Sequence, residues 1–257
     1  HFSKMAAEAA QKVGVGAGDL GVDIGGNVGT LLQAFRAQTG ASVLNIEPAG
    51  NIADIAEKNN IETVRDFFTG ATAKAIAARG GAKVIAMTNA FNHIAYLDDF
   101  MRGIVQALRQ DGVFLIEVPY LLHLVEKLAF DTVYLEHVSY FALRPLRSYF
   151  KKFGLVISDV SENDYMGGSM RLYVRKGGAE FAGLAGMIAR EEAAHLYEPG
   201  MYADFMQKVQ KFKVSLLKEL ADAKTAGGRI VGIGAATKGN TLLNYCGIDS
   251  TLVEFVT

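Results

Sequence analysis

From about Leu20 onwards, short apolar and β-branched runs alternate with longer stretches in which apolar residues recur every three or four positions. Runs of the first kind predict buried strands, and stretches of the second kind predict amphipathic helices that cover a sheet. Strands are predicted at Gly21–Ile24, Ser42–Glu47, Thr63–Asp66, Lys83–Thr88 and Val113–Val118. Helices are predicted at Val28–Thr39, Ile52–Lys58 and Tyr96–Arg109. This alternation is typical of βαβ units, so the sequence predicts an α/β fold with a Rossmann-like parallel sheet.

The order of elements changes after Pro119. Two helices are predicted in succession, at Leu121–Phe130 and Leu143–Phe153, and two strands follow at Val156–Ser161 and Ser169–Arg175. Since no helix separates these last strands, we expect them to close the first domain instead of extending the βαβ series. That domain is expected at residues 1–176.

The rest of the chain predicts a bridge and part of a second domain. Residues 177–227 are rich in Ala, Glu, Lys and Leu and predict two helices. A strand at Arg229–Ile233, a glycine turn and a helix from about Asn240 resemble the first βα unit of another Rossmann-like domain, expected at residues 228–257. The chain starts without Met, and its apolar run at 252–256 is typical of an unfinished strand, so we expect a fragment.

Composition narrows the classes of function. Charged residues make up 21% of the chain and the formal net charge is -1, without any Lys/Arg-rich run, so nucleic acid is not an expected partner. The longest apolar stretches, such as Val113–Val118, are too short to span a membrane. Cys246 is the single cysteine, which excludes an internal disulfide and makes the cytoplasm the expected compartment.

Three glycine clusters compete for the role of cofactor loop. Gly16, Gly18 and Gly21 match the dinucleotide pattern G-x-G-x-x-G but precede a strand, so their N–H groups cannot meet a phosphate at a helix N-terminus. The second cluster, Asp23–Gly29, lies between a strand and a helix but has asparagine where the dinucleotide spacing needs glycine. Together with Glu47, about 20 residues on, it indicates S-adenosylmethionine; the alternative is a generic turn with Glu47 on the surface.

The third cluster, Gly232–Asn240, also follows a predicted strand and opens a predicted helix. It lacks the Walker spacing. Its backbone N–H groups and Lys238 would suit a nucleotide phosphate, but a turn with a solvated lysine explains the same residues equally well.

Six segments together resemble a known family, the sugar C-methyltransferases that act on nucleotide-linked 4-keto deoxysugars. They are Asp23–Gly29, Ile46–Pro48, Asn89–Ile94, Tyr134–His137, Gly167–Arg171 and Gly234–Gly247. The first two occur in any class I methyltransferase, whereas the Glu-His pair, the Gly-Gly-Ser-x-Arg strand and the Lys-Gly-Asn loop in this order are more specific.

The resemblance implies a Rossmann-like class I methyltransferase fold, S-adenosylmethionine as cofactor and three groups of site residues. Around the cofactor it implies Asp23, Gly25, Gly26, Asn27, Glu47 and Asn89, with Asp66 and Phe67 beside the adenine. At the reaction centre it implies Tyr134, Glu136 and His137, and towards the sugar nucleotide Ser169, Arg171, Lys238 and Asn240. No metal is expected in this chain. Leu135 stands where the family commonly has a second imidazole, and the family's cysteine-rich zinc module has no counterpart in the chain.

Methylation of carbon requires that a C–H bond first be made nucleophilic. Deprotonation beside a ketone gives an enolate, so the site needs a base poised near neutrality and a donor for the oxyanion. We hypothesise that His137 is the base, with Glu136 or Tyr134 sharing proton transfer. Adjacent residues point apart on a regular strand or helix, so Glu136 and His137 should lie on irregular backbone, or Glu136 serves another atom. The plainer alternative is an ordinary hydrogen-bonded histidine.

Three functions remain open at this stage. The first is an enzyme, monomeric or homodimeric, that methylates a nucleotide-linked keto sugar or another small molecule. The second is a non-catalytic methyltransferase-like binding module, suggested by Leu135 in the Tyr-Leu-Glu-His motif. A nicotinamide oxidoreductase that uses the loop at Gly232 is disfavoured, because no acidic residue ends a following strand.

Overall fold

The computed structural model describes all 257 residues and contains one seven-stranded sheet with the order β3-β2-β1-β4-β5-β7-β6. The strands are β1 (Leu20–Ile24), β2 (Ser42–Ile46), β3 (Glu62–Val64), β4 (Ala82–Thr88), β5 (Leu108–Pro119), β6 (Leu155–Asn163) and β7 (Ser169–Lys176). Strands β1 to β5 are parallel, and β7 runs antiparallel to its neighbours β5 and β6. The Rossmann-like sheet predicted from the sequence is confirmed.

Ten α-helices accompany the sheet. They are α1 (Phe2–Val13), α2 (Thr30–Thr39), α3 (Gly50–Lys58), α4 (Gly70–Ala78), α5 (Leu97–Ala107), α6 (Leu121–Glu126), α7 (Leu143–Lys151), α8 (Leu184–Ala193), α9 (Pro199–Thr225) and α10 (Thr237–Cys246). Short 3₁₀ turns occur at Phe91–His93, Phe130–Thr132 and Tyr165–Gly167. None of the helices combines the length and the apolar character that crossing a bilayer requires.

The sheet is buried on both faces, which is why its central strands are nearly continuous apolar runs. Apolar residues of α4, α5, α7 and α8 pack on one face, and those of α1, α2 and α3 pack on the other. The chain order reverses between β1 and β4, so the carboxyl ends of these two strands border a crevice. In open α/β sheets such a crevice is the usual ligand site.

The structure departs from the sequence prediction at both ends of the chain. No element is predicted before Leu20, whereas α1 buries Met5, Ala6, Ala9 and Val13 against the sheet. These four residues recur at helical spacing, so the amphipathic pattern was present in the sequence and was missed. Residues 229–233 and 252–256 were both expected to be strands, but they form one isolated parallel bridge, Gly232 to Val256, with α10 between them. A second domain at this end stays a prediction.

Candidate active site

The chain turns sharply after β1, at Gly25–Gly29, and this turn depends on its glycines. Gly25 (φ +69°) and Gly29 (φ +78°) have left-handed backbone conformations that side chains strain. A Cβ atom on Gly26 would lie 2.3 Å from Asn45 Oδ1 and 2.8 Å from Asp23 Oδ2, so a larger residue requires these buried side chains to shift. The turn therefore exposes bare backbone at the crevice between β1 and β4.

Glu47 follows β2 directly and fixes the shape of this turn. Its Oε2 atom accepts a hydrogen bond from Asn27 N (3.1 Å), and its Oε1 atom accepts one from Ala49 N (2.9 Å). The side chain is buried. The alternative of a generic turn with Glu47 on the protein surface is therefore wrong, since the carboxylate is part of the turn.

Asp23 lies beneath the turn, on β1, with its side chain almost completely buried. Its Oδ1 atom has no hydrogen-bond partner, and neither has Oδ1 of Asn45, its register partner on β2. Burial raises the pKa of Asp23 to about 8, and the nearby Glu47 carboxylate contributes in the same direction. A buried carboxyl group that lacks a partner is unfavourable, so a ligand that brings a cation or a donor would stabilise it.

Two adjoining cavities lie along this crevice. One has a volume of about 310 Å³ and is lined by Glu47, Asp66, Phe67, Asn89 and apolar neighbours. The other has a volume of about 370 Å³ and is lined by Asp23, Gly25, Gly26, Asn27, Asn89, Tyr165 and others. The cavities share Asn89, which is in the left-handed region (φ +51°) and whose buried Oδ1 atom has no partner. All eight residues predicted for the cofactor thus lie in one continuous crevice.

The chemistry of this lining fits S-adenosylmethionine and opposes a dinucleotide. No Lys or Arg lines either cavity, while three carboxyl groups do: Asp23, Glu47 and Asp66. A pyrophosphate would find no cationic side chain there, whereas the carboxyl groups can pair with a sulfonium or an ammonium group. The unpartnered oxygens of Asp23 and Asn89 suit an amino-acid moiety, and the exposed ring of Phe67 suits an adenine.

Tyr134 and His137 meet in the irregular segment that follows the 3₁₀ turn at Phe130–Thr132. Nδ1 of His137 lies 2.9 Å from the Thr132 carbonyl oxygen, and Nε2 lies 2.7 Å from the Tyr134 hydroxyl oxygen. A carbonyl can only accept, so the proton of the neutral imidazole is assigned to Nδ1. Nε2 consequently carries a lone pair and accepts a hydrogen bond from Tyr134.

The surroundings of this pair keep the imidazole neutral. Burial lowers the pKa of His137, and the neighbouring His93 and Lys238 lower it further. The His93 ring centroid lies 5.0 Å from that of His137, and His93 also lines the 310 Å³ cavity. Burial likewise raises the pKa of Tyr134, with Glu136 as the second cause, so the phenol stays protonated. His137 therefore offers a basic nitrogen, and only the ring of His93 lies between its imidazole and the cofactor crevice.

Glu136 does not orient the imidazole in this arrangement. It is exposed and makes no side-chain hydrogen bond. The irregular backbone expected for the Glu136–His137 pair is present, but the orienting acceptor is the main chain of Thr132. A role for Glu136 towards a substrate atom stays a prediction.

The structure places Ser169 and Arg171 inside the protein. Arg171 pairs with Glu117 (Nε to Oε2, 2.9 Å) and with Glu8 of α1 (2.6 Å), and the Ser169 hydroxyl donates to the Tyr165 carbonyl (2.9 Å). Both side chains are buried. Their hydrogen bonds are made within the protein, so their contact with a sugar nucleotide remains a prediction.

Lys238 and Asn240 lie in the first turn of α10, and Lys238 is near enough to His137 to lower its pKa. Lys238 Nζ donates to the Met166 carbonyl (2.9 Å), and Met166 lines the 370 Å³ cavity. Asn240 is exposed, and its Oδ1 atom accepts from Asn244 (2.9 Å). Lys238 thus connects α10 to the rim of the cofactor crevice.

Sequence reasoning missed several residues that build this site. The Thr132 carbonyl orients His137, and the Asn92 carbonyl accepts from Val138 N (3.0 Å), which ties the histidine segment to the end of β4. Phe2 of α1 lines the 370 Å³ cavity. A carbonyl acceptor has no signature in the sequence. The sequence left open whether His93, after the fourth predicted strand, touches a ligand, and the structure puts it in the lining of the 310 Å³ cavity.

Two family models match this chain. A methyltransferase domain matches residues 14–160, and a C-methyltransferase C-terminal domain matches residues 164–257. C-methyltransferase NovU from Streptomyces niveus is 34% identical over 260 residues, which cover 99% of this chain. The aligned part is 61% of NovU, so the chain spans about three fifths of the curated relative that it matches.

Solved structures share the fold at low sequence identity. An S-adenosylmethionine-dependent methyltransferase from Clostridium acetobutylicum superposes with a TM-score of 0.52 and 12% identity, covering 69% of this chain and 91% of its own. The YcgJ protein from Bacillus subtilis gives a TM-score of 0.50 and 14% identity, covering 69% and 98%. Since the methyltransferase domain accounts for more than half of the chain, this protein belongs to the class I S-adenosylmethionine-dependent methyltransferases.

Proposed function

We propose that this chain transfers a methyl group to a carbon next to a ketone in a nucleotide-linked deoxysugar. The observation that carries the proposal is the hydrogen bonding of His137. Thr132 holds the proton on Nδ1, so Nε2 is left as a base beside the Tyr134 hydroxyl. Methylation of a carbon next to a ketone requires a base that removes the proton from that carbon. The match to a C-methyltransferase C-terminal domain and the similarity to NovU support the same reaction.

Each residue of the crevice has a proposed task. Asp23 and Asn89 would hold the amino-acid end of the cofactor, Glu47 its ribose, and Asp66 and Phe67 its adenine. When bound, S-adenosylmethionine supplies an electrophilic methyl group.

The chain's own residues perform the proton transfer. His137 Nε2 takes the proton from the carbon next to the ketone, and the electron pair of that C–H bond stays on the substrate as an enolate. For this step the Tyr134 hydroxyl first turns from Nε2 to the ketone oxygen, which frees the Nε2 lone pair, and it donates to that oxygen as the enolate forms. Lys238 and Asn240 would face the nucleotide end of the substrate, where the cation suits a diphosphate.

Labelled S-adenosylmethionine, incubated with a panel of nucleotide-linked 4-keto deoxysugars, tests the reaction. We expect label on carbon with a ketone substrate and none with the matching 4-hydroxy sugar. Label on oxygen, or equal transfer to the 4-hydroxy sugar, would contradict the proposal. Proton abstraction is tested separately in D₂O with S-adenosylhomocysteine bound. The wild-type chain should exchange the proton next to the ketone, and His137→Asn should not, although it keeps its affinity for S-adenosylhomocysteine.

The proposal includes a cytoplasmic location. Cys246 is the single cysteine, and it is free and buried, which suits a reducing compartment. Fractionation of cells that produce the protein would test this point.

A further inference from the structure

The carboxylate of Glu191 joins three separate segments of the chain. Glu191 of α8 is completely buried. Its Oε1 atom accepts from the Tyr120 hydroxyl (2.9 Å) and from Leu143 N (2.6 Å). Its Oε2 atom accepts from Arg144 N (3.1 Å) and from the Tyr197 hydroxyl. The buried charge is thus compensated by four donors.

Three of these donors, Tyr120 and the N–H groups of Leu143 and Arg144, lie at the base of the segment that carries the reaction centre. Tyr120 directly follows β5 and forms a backbone bridge with Phe141. Leu143 begins α7, whose N-cap residue makes no side-chain capping bond, so Glu191 supplies the anion that the free N–H groups of this helix need. Between the two ends lies the excursion 121–142, which contains Tyr134 and His137.

The segment from His137 to Leu143 contacts the rest of the protein at closely spaced positions. The Phe141 ring stacks on Phe91, with 5.0 Å between centroids and 26° between planes. Val138 N and Ser139 N both donate to the Asn92 carbonyl, at 3.0 and 3.2 Å. The chain from His137 to α7 is therefore fixed at three points, and the last of them is the Glu191 carboxylate.

We propose that Glu191 is a positioning residue, which holds the base of the excursion 121–142 so that Tyr134 and His137 keep their mutual hydrogen bond. This inference rests on the proposed function of His137. The charge of Glu191 is essential to it, because an amide of the same shape has one accepting oxygen and would turn its own N–H groups towards the other donors.

The first test compares Glu191→Gln with Glu192→Gln. Glu192 is the next residue on α8, is exposed, and contacts the Arg144 side chain at 3.4 Å, so it serves as a matched control. We expect kcat for methyl transfer to fall roughly 10- to 100-fold in Glu191→Gln, because small displacements of reacting groups cost about that much. The Kd for S-adenosylhomocysteine should stay within about twofold of wild type, and Glu192→Gln should behave as wild type.

The second readout needs no turnover. The ring signals of histidine-labelled protein report the titration of His137, which His137→Asn identifies by its absence. In Glu191→Gln, the pKa of His137 should move from its lowered value towards that of a free imidazole. A wild-type chain that methylates no ketone would refute the proposed function, and this titration would still decide the role of Glu191.

An unchanged titration together with unchanged kcat in Glu191→Gln would overturn the proposal, and so would a loss of thermal stability alone. If that variant does not fold, the double variant Tyr120→Phe, Tyr197→Phe removes two of the four donors and leaves the carboxylate in place. It is judged by the same two measurements.

Discussion

Replacing Asp23 with asparagine should stabilise the cofactor-free protein while weakening cofactor binding. Asparagine has nearly the size of the protonated side chain and removes the ionisable group from beneath the glycine turn. The native carboxyl group is fully buried without a partner for Oδ1, and its pKa is about 8 in place of the ordinary 3.8. Folding therefore retains a proton that the unfolded chain releases.

The size of the effect follows from this difference. Between pH 4 and 8 the unfolded state binds one proton fewer, so the free energy of unfolding falls by about 1.4 kcal/mol for each pH unit. At pH 7 the free energy of unfolding is lowered by about 4 kcal/mol in total. This is an upper value, because local relaxation around the carboxyl group reduces it. Asp23→Asn should recover up to this amount at pH 7 and almost nothing near pH 4.

Urea unfolding, followed by circular dichroism at pH 5, 6, 7 and 8, measures the difference between wild type and Asp23→Asn. The control is Asp204→Asn, which removes an exposed carboxyl group on α9. Calorimetry should show S-adenosylhomocysteine binding weakened about 10- to 100-fold in Asp23→Asn, as for the loss of one buried charged contact. A stability difference that does not grow with pH would refute the buried, protonated carboxyl group, and unchanged binding would refute its contact with the ammonium group.

Three further predictions concern the glycine turn and the reaction centre. Gly26→Ala places a methyl group 2.3 Å from Asn45 Oδ1 and should weaken S-adenosylhomocysteine binding at least about tenfold. The control is Gly16→Ala, whose methyl group meets open space and should leave binding unchanged. Calorimetry measures both affinities. In the pH profile of kcat, activity should fall only below pH 6.5, because the pKa of His137 is lowered and the protonated ring is no base. Tyr134→Phe should reduce kcat about 10- to 1,000-fold with little change in cofactor affinity, and an equal loss of both would argue against its role as a donor.

The elements that the sequence predicted best are those whose residues are dictated by local burial. Strands β4 and β5 are buried on both faces and therefore stand out as continuous apolar runs. The turn at Gly26 was predictable because no other residue fits there. Helix α1 was not predicted, although its buried residues Met5, Ala6, Ala9 and Val13 recur at helical spacing.

Some contacts at the site could not be predicted because they join residues that are far apart in the sequence. Arg171 was expected near the substrate, yet its guanidinium pairs with Glu8, which is 163 positions away in the chain. Neither local sequence indicates that these two residues pair. Glu136 was expected to assist His137 because it is adjacent in sequence, but adjacency does not determine which atoms meet on irregular backbone.

The attachment of His137 to a peptide oxygen has a bearing on how this site can diversify. No substitution at position 132 removes that oxygen, whereas a carboxylate partner could be lost through a single codon change. Residues 133 and 135 can therefore vary, in nature or in directed evolution, without switching the tautomer of the neighbouring imidazole. New acceptors could be recruited by altering Leu135, whose side chain is 94% exposed, while the proton-abstracting nitrogen is retained.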